Sequence, residues 1–235
     1  MPVDGASTDR PGGGTSAVTR GATTGSTSDG GAPAARRAAG PNRAYGHGMS
    51  DDDVPTLDTT ITEPPLDAGE VDHLLFMLER SRATFAWKVG GLDAAALHRT
   101  FPPSVMTLAG LVKHLTLVED DVVASRLGAG PWVEPWTRTT PDDWPGWDWR
   151  SAADDSPGDL YRGWQAAVAR SREVWGRVTA DGGLDAPAGV EWPDGRPNRR
   201  RVLIDLNAEY ARHLGHADLL REAVDVLVGE DPPQP

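Results

Sequence analysis

Glu209, His213 and His216 lie four and then three positions apart in a segment that reads as helical. At roughly 100° per residue, the step from Glu209 to His213 advances about 40°, and the step to His216 returns to about 20° on the other side of Glu209. All three project from the face that carries Val202, Leu206, Ala217, Leu220, Val224 and Leu227, a stripe that must pack into a core. Polar groups on such a stripe need partners, and two readings supply them: a divalent cation, or a hydrogen-bonded Glu/His cluster. Two neutral imidazoles and one carboxylate suit zinc, nickel or iron and leave positions for water or substrate. A ligand from a second helix is available in His114, which follows Leu111 by about one turn and is the one histidine of that helix. His73 beside Leu74 and Leu75, His98 in a connection and His47 in the N-terminal stretch fit less well.

Four helices are expected to position these groups. The first spans about 68–89, opened by Asp67 as N-cap with Glu70 three positions later, and closed by Gly90 and Gly91. The second begins at a Ser104 or Thr107 cap, buries Leu108, Leu111, Leu115, Val118 and Val122, and runs to about Leu127. Ser156 as N-cap, Pro157 at the first helical position and Asp159 in the first turn start the third, which ends near Ala180. The fourth covers about 200–228 and stops at Gly229. Its opening Arg199, Arg200 and Arg201 oppose the helix dipole, so a solvated or acid-paired surface is expected there. Between helices two and three, residues 128–156 read as a long irregular loop with Trp132, Trp136, Trp144, Trp147 and Trp149. Such a loop is either a lid over a pocket or a segment pinned to the bundle by its indoles. Val190 to Arg196 reads as a small hairpin or a turn. The fold class is all-α, with a four-helix bundle as its architecture.

Composition bounds the rest. None of the first fifty residues is Leu, Ile, Phe or Trp, so residues 1–50 are expected to be a disordered tail and 51–235 one bundle domain. Met49, where the tail composition ends, is a candidate translation start alternative to Met1. A net charge of −12 is a poor match for nucleic acid or anionic lipid, and no long apolar run spans a bilayer. A cytoplasmic protein acting on a small molecule is expected, with homodimerisation open. With no cysteine in the chain, any thiol chemistry must use an external thiol.

Three stretches carry a family resemblance: LERSRAT from Leu78 to Thr84 followed by Gly91 and Leu92; TLAGLVKHL from Thr107 to Leu115 with Glu119; and EYARHLGHADLLRE from Glu209 to Glu222. Over about residues 60–228 the chain resembles the DinB-like superfamily, which includes mycothiol-dependent maleylpyruvate isomerase and other thiol transferases, and within it a subgroup largely of uncharacterised proteins. The resemblance implies an up-down-down-up four-helix bundle, a divalent metal and transfer or isomerisation with a low-molecular-weight thiol such as mycothiol. The superfamily's usual metal set is one His on the second helix and an H-x-x-x-H pair on the last. His114 matches the first and His213 the last of these. Glu209 stands where the other His is usual, so either Glu209 ligates directly or His216 takes its place. The alternative to an enzyme is a non-catalytic bundle that binds a metal or small ligand.

Overall fold

The computed structural model describes residues 54–138 and 146–234. The tail, Met49, His47 and Trp144 lie outside the described residues. Among those described there are six α-helices and no strand: α1 Glu70–Val89, α2 Ala94–Leu97, α3 Leu108–Asp121, α4 Trp147–Ser151, α5 Pro157–Ala180 and α6 Arg199–Asp225. Four of them are long, and their apolar stripes meet in one core that includes Leu78, Phe85, Leu111, Leu115, Trp164 and Leu206. No described helix is long and apolar enough to cross a membrane.

The starts of α3 and α5 follow local chemistry. Thr107 caps α3 by accepting from the Gly110 amide at 3.0 Å, and Ser156 caps α5 through the Asp159 amide at 3.2 Å. Asp67, in contrast, sits in a turn, and Gly69 holds the N-cap position of α1 with no side-chain cap. The second long helix is also shorter than its hydrophobic stripe implied: at Val122 the backbone widens into a five-residue π-helix, Val122–Arg126. α6 ends before Gly229, at Val226, which adopts φ 58°. Gly229 instead offers its carbonyl to the buried Lys88 ammonium at 2.7 Å, tying the C-terminal segment to α1.

The triple arginine at the start of α6 is absorbed by the fold. Arg199 donates to the carbonyls of Val178 and Asp181, satisfying acceptors at the end of α5, while Arg200 pairs with Glu70 and Asp185 and Arg201 with Asp205. Residues 190–196 form a turn: Trp192 and Gly195 exchange backbone hydrogen bonds at 3.1 and 3.0 Å in an isolated bridge.

The Trp-rich segment departs most from expectation, because its described part is structured. A short 3-10 turn, Trp136–Arg138, then α4 and a second 3-10 turn, Ala152–Asp154, line α3. The Trp136 indole donates to Asp120 at 2.8 Å and meets Trp147 edge-on at 5.7 Å, and the Lys113 ammonium lies 4.7 Å from the Trp147 ring centre. Trp149 packs directly on α3 at Gly110, where a β-carbon would stand 2.7 Å from the indole. Gly110→Ala would gain roughly 1 kcal/mol of helix propensity and lose about 1–3 kcal/mol to overpacking. Urea unfolding should therefore show a net destabilisation, since a β-carbon at Gly110 would push on the indole that stacks on His114.

Candidate metal centre

α3 and α6 bring His114, Glu209 and His213 together, with one donor atom of each within 4.8 Å of the others. The four-residue spacing stacks Glu209 and His213 on one face of α6, and His213 Nε2 lies 3.4 Å from Glu209 Oε2. The rings of His114 and His213 meet at a centroid distance of 4.6 Å and an angle of 64°. His216 stands one turn further on and outside that set. Its Nδ1 is 3.3 Å from His213 Nδ1, so one of these nitrogens carries the shared proton and the other accepts it.

His213 is 6% exposed, and burial pushes its pKa down to about 4. The neighbouring His114 and His216 and the Arg212 guanidinium act in the same direction, against the opposite pull of Glu209. The imidazole is neutral at pH 7, the form in which its nitrogen lone pair can bind a cation. Two imidazoles from different helices and one half-buried carboxylate thus fit the donor chemistry of a divalent transition metal.

α4 completes the surroundings of His114. The buried Asp148 carboxylate reaches His114 Nδ1 at 2.7 Å. Trp149 stacks on the same imidazole at 4.8 Å and 23°, with its ring centre 6.1 Å from that of His213. Neither residue was singled out with the ligands by sequence reasoning. Spacing arguments work within one helix, and Asp148 is 34 positions from its partner. The clustering of tryptophans was the one available signal, and it pointed to either anchoring or a lid; Trp149 is anchored on α3 and stacks on His114.

Other polar groups fall outside the set. His98 Nε2 lies 3.2 Å from the Asp155 carbonyl at the end of α2, and Arg212 forms an ordinary exposed ion pair with Glu209 at 3.5 Å. Tyr210, next to Glu209 in the sequence, is fully buried. Its hydroxyl donates to Glu119 Oε1 at 2.7 Å and accepts from the Trp164 indole at 3.1 Å. Glu119 in turn holds Arg82 through two hydrogen bonds of 2.8 and 2.7 Å, and Arg82 reaches Ser171 at 2.9 Å. This network joins α1, α3, α5 and α6 inside the core. Burial and the adjacent Glu119 charge both raise the Tyr210 pKa, which keeps the phenol protonated as a donor.

No curated protein matches the chain. The family model described as Mycothiol-S-transferase matches residues 73–226, well over half of the sequence, and that span includes His114, Glu209 and His213. The chain belongs to the mycothiol S-transferase family, within the DinB-like superfamily.

Proposed function

We propose that the protein joins the sulfur of a small-molecule thiol, of which mycothiol is the leading candidate, to an electrophilic substrate at a divalent metal held by His114, Glu209 and His213. The observation that carries this reading is the convergence of their donor atoms within 4.8 Å. Zinc, nickel and iron all suit the donor set, and a bound cation of this class lowers the pKa of a thiol so that thiolate is available near neutral pH. The protein's own residues supply position and charge. His114 and His213 offer imidazole nitrogens from two helices, Glu209 offsets part of the cationic charge, and Trp149 forms an apolar wall beside His114. The chain has no cysteine, so the nucleophile comes from the thiol cofactor. With a haloalkane as electrophile, the sulfur–carbon bond forms as the carbon–halogen bond breaks, and halide and the thiol proton are released.

An up-down-down-up order of the four long helices belongs to the same reading. It is supported by pairs at matching ends. Glu70 with Arg200 and Lys88 with Asp218 link α1 and α6 in the same sense. Lys113 with Asp155 and Asp120 with Arg170 do the same for α3 and α5. Glu79 with Arg172 and Val89 with Tyr161 link α1 and α5 in the opposite sense.

The test is conjugation of mycothiol to a panel of electrophiles (a haloalkane, an epoxide, an activated alkene) by the full chain loaded with zinc or nickel. Product formation should require metal and should disappear with chelator or in His114→Ala. Metal binding with no turnover across the panel would instead indicate a non-catalytic binding bundle.

A further inference from the structure

We propose that Asp148 is a positioning residue for this centre: its buried carboxylate accepts a hydrogen bond from the Nδ1–H of His114 and thereby leaves the unprotonated Nε2 to face Glu209 and His213. The inference rests on the metal reading for its purpose, while the proton placement stands on the geometry of the protein alone. A neutral imidazole has one N–H and one lone pair, and an ionised carboxylate can only accept. For a neutral His114 beside an ionised Asp148, the 2.7 Å contact between Asp148 Oδ2 and His114 Nδ1 puts the proton on Nδ1 and the lone pair on Nε2. Without that acceptor either nitrogen can carry the proton, and the protonated Nε2 form cannot ligate through that atom.

The carboxylate is itself held in place. Asp148 is 3% exposed and sits in α4, whose N-cap Gly146 takes the left-handed conformation, φ 72°. The residues on either side are both engaged: Trp147 meets Trp136 and the Lys113 ammonium, and Trp149 lies in the gap that Gly110 leaves on α3. Trp149 also covers a face of the imidazole whose edge Asp148 holds. One short helix thus fixes both the tilt and the tautomer of His114. Outer carboxylates of this kind orient ligating histidines and raise their basicity, and their loss commonly weakens metal binding by about 10–100-fold.

The experiment uses the full chain, wild type, Asp148→Ala and Asp148→Asn, with [15N]histidine labelling. Long-range imidazole correlation spectra of the metal-free proteins report the tautomer, and chelator competition reports zinc affinity. Wild type should show His114 protonated at Nδ1. Asp148→Ala should move it toward the Nε2-protonated form and weaken zinc binding by about 10–100-fold. Asp148→Asn keeps the side-chain shape but can donate to Nδ1 as well as accept from it, so it should also let the Nε2-protonated form of His114 appear, with a smaller loss of affinity; it serves as the readout if the alanine variant does not fold. A wild-type His114 protonated at Nε2, or an Asp148→Ala protein with both tautomer and zinc affinity unchanged, overturns the proposal. Failure of wild type to bind zinc or nickel, with the tautomer still switching in Asp148→Ala, defeats the metal reading and leaves the positioning of His114 standing.

Discussion

His213→Ala should bind no zinc or nickel after purification without chelator, where wild type carries on the order of one ion per chain. The substitution removes one of three converging donors, and His114 and Glu209 alone span two helices without a third arm to close the set. It also removes the group best prepared for the task, a buried imidazole that stays neutral at pH 7. Plasma mass spectrometry measures the metal directly. Thermal unfolding gives a second readout: zinc should raise the Tm of wild type, because a ligand that binds the native state stabilises it, and should leave the variant unmoved. Glu209→Ala should behave like His213→Ala, whereas His216→Ala should retain metal, since His216 lies outside the converging set. Retention of metal in Glu209→Ala with loss in His216→Ala would reverse these roles. Undiminished metal in His213→Ala would remove the basis of the proposed function.

Arg82→Ala should destabilise the protein by about 3–5 kcal/mol, the cost of leaving a buried charge without its partner. Arg82 is 2% exposed, and its guanidinium holds Glu119, which is fully buried, in a two-pronged contact. Burial alone would lower the Arg82 pKa, but the Glu119, Tyr210 and Glu79 partners raise it above the usual arginine value, so the pair stays ionised inside the core. Truncation strands the Glu119 carboxylate with the Tyr210 hydroxyl as its remaining hydrogen-bond donor in this network. For a domain of this size the loss corresponds to a Tm lower by roughly 10 °C. Removing both charges together, as Arg82→Met with Glu119→Leu, should recover part of the stability, because the interior no longer holds an unpaired ion, while the buried Tyr210 hydroxyl loses its acceptor. Urea unfolding of the two single variants and the double variant gives the coupling energy. Additive losses would show that the contact is not the source of the cost.

The parts of the fold that were legible in the sequence are those governed by neighbours in the chain. Ser156 and Pro157 mark the start of α5 because capping and proline geometry act within one turn. The stripe of α6 follows from helical periodicity, and with it the common face of Glu209 and His213. His114 was legible as a partner from its place next to the apolar stripe of α3, and the converging set includes it. Where local signals competed, periodicity alone misled. The stripe through Val122 implied a continuous helix, but the chain leaves α-geometry there, and Asp67 had cap chemistry without becoming the cap.

Residue types and helical period were thus enough to determine an all-helical protein and to narrow the candidate metal ligands to His114, Glu209, His213 and His216, and a resemblance over three stretches pointed to the family. Tertiary structure alone decided that His216 stands beside the set, that Arg82 and Tyr210 lie inside the core, and that Asp148 meets His114. The physical reason is the same in each case. A charged or polar side chain can be buried only where another element brings it a partner, and which elements meet is a property of the folded chain as a whole.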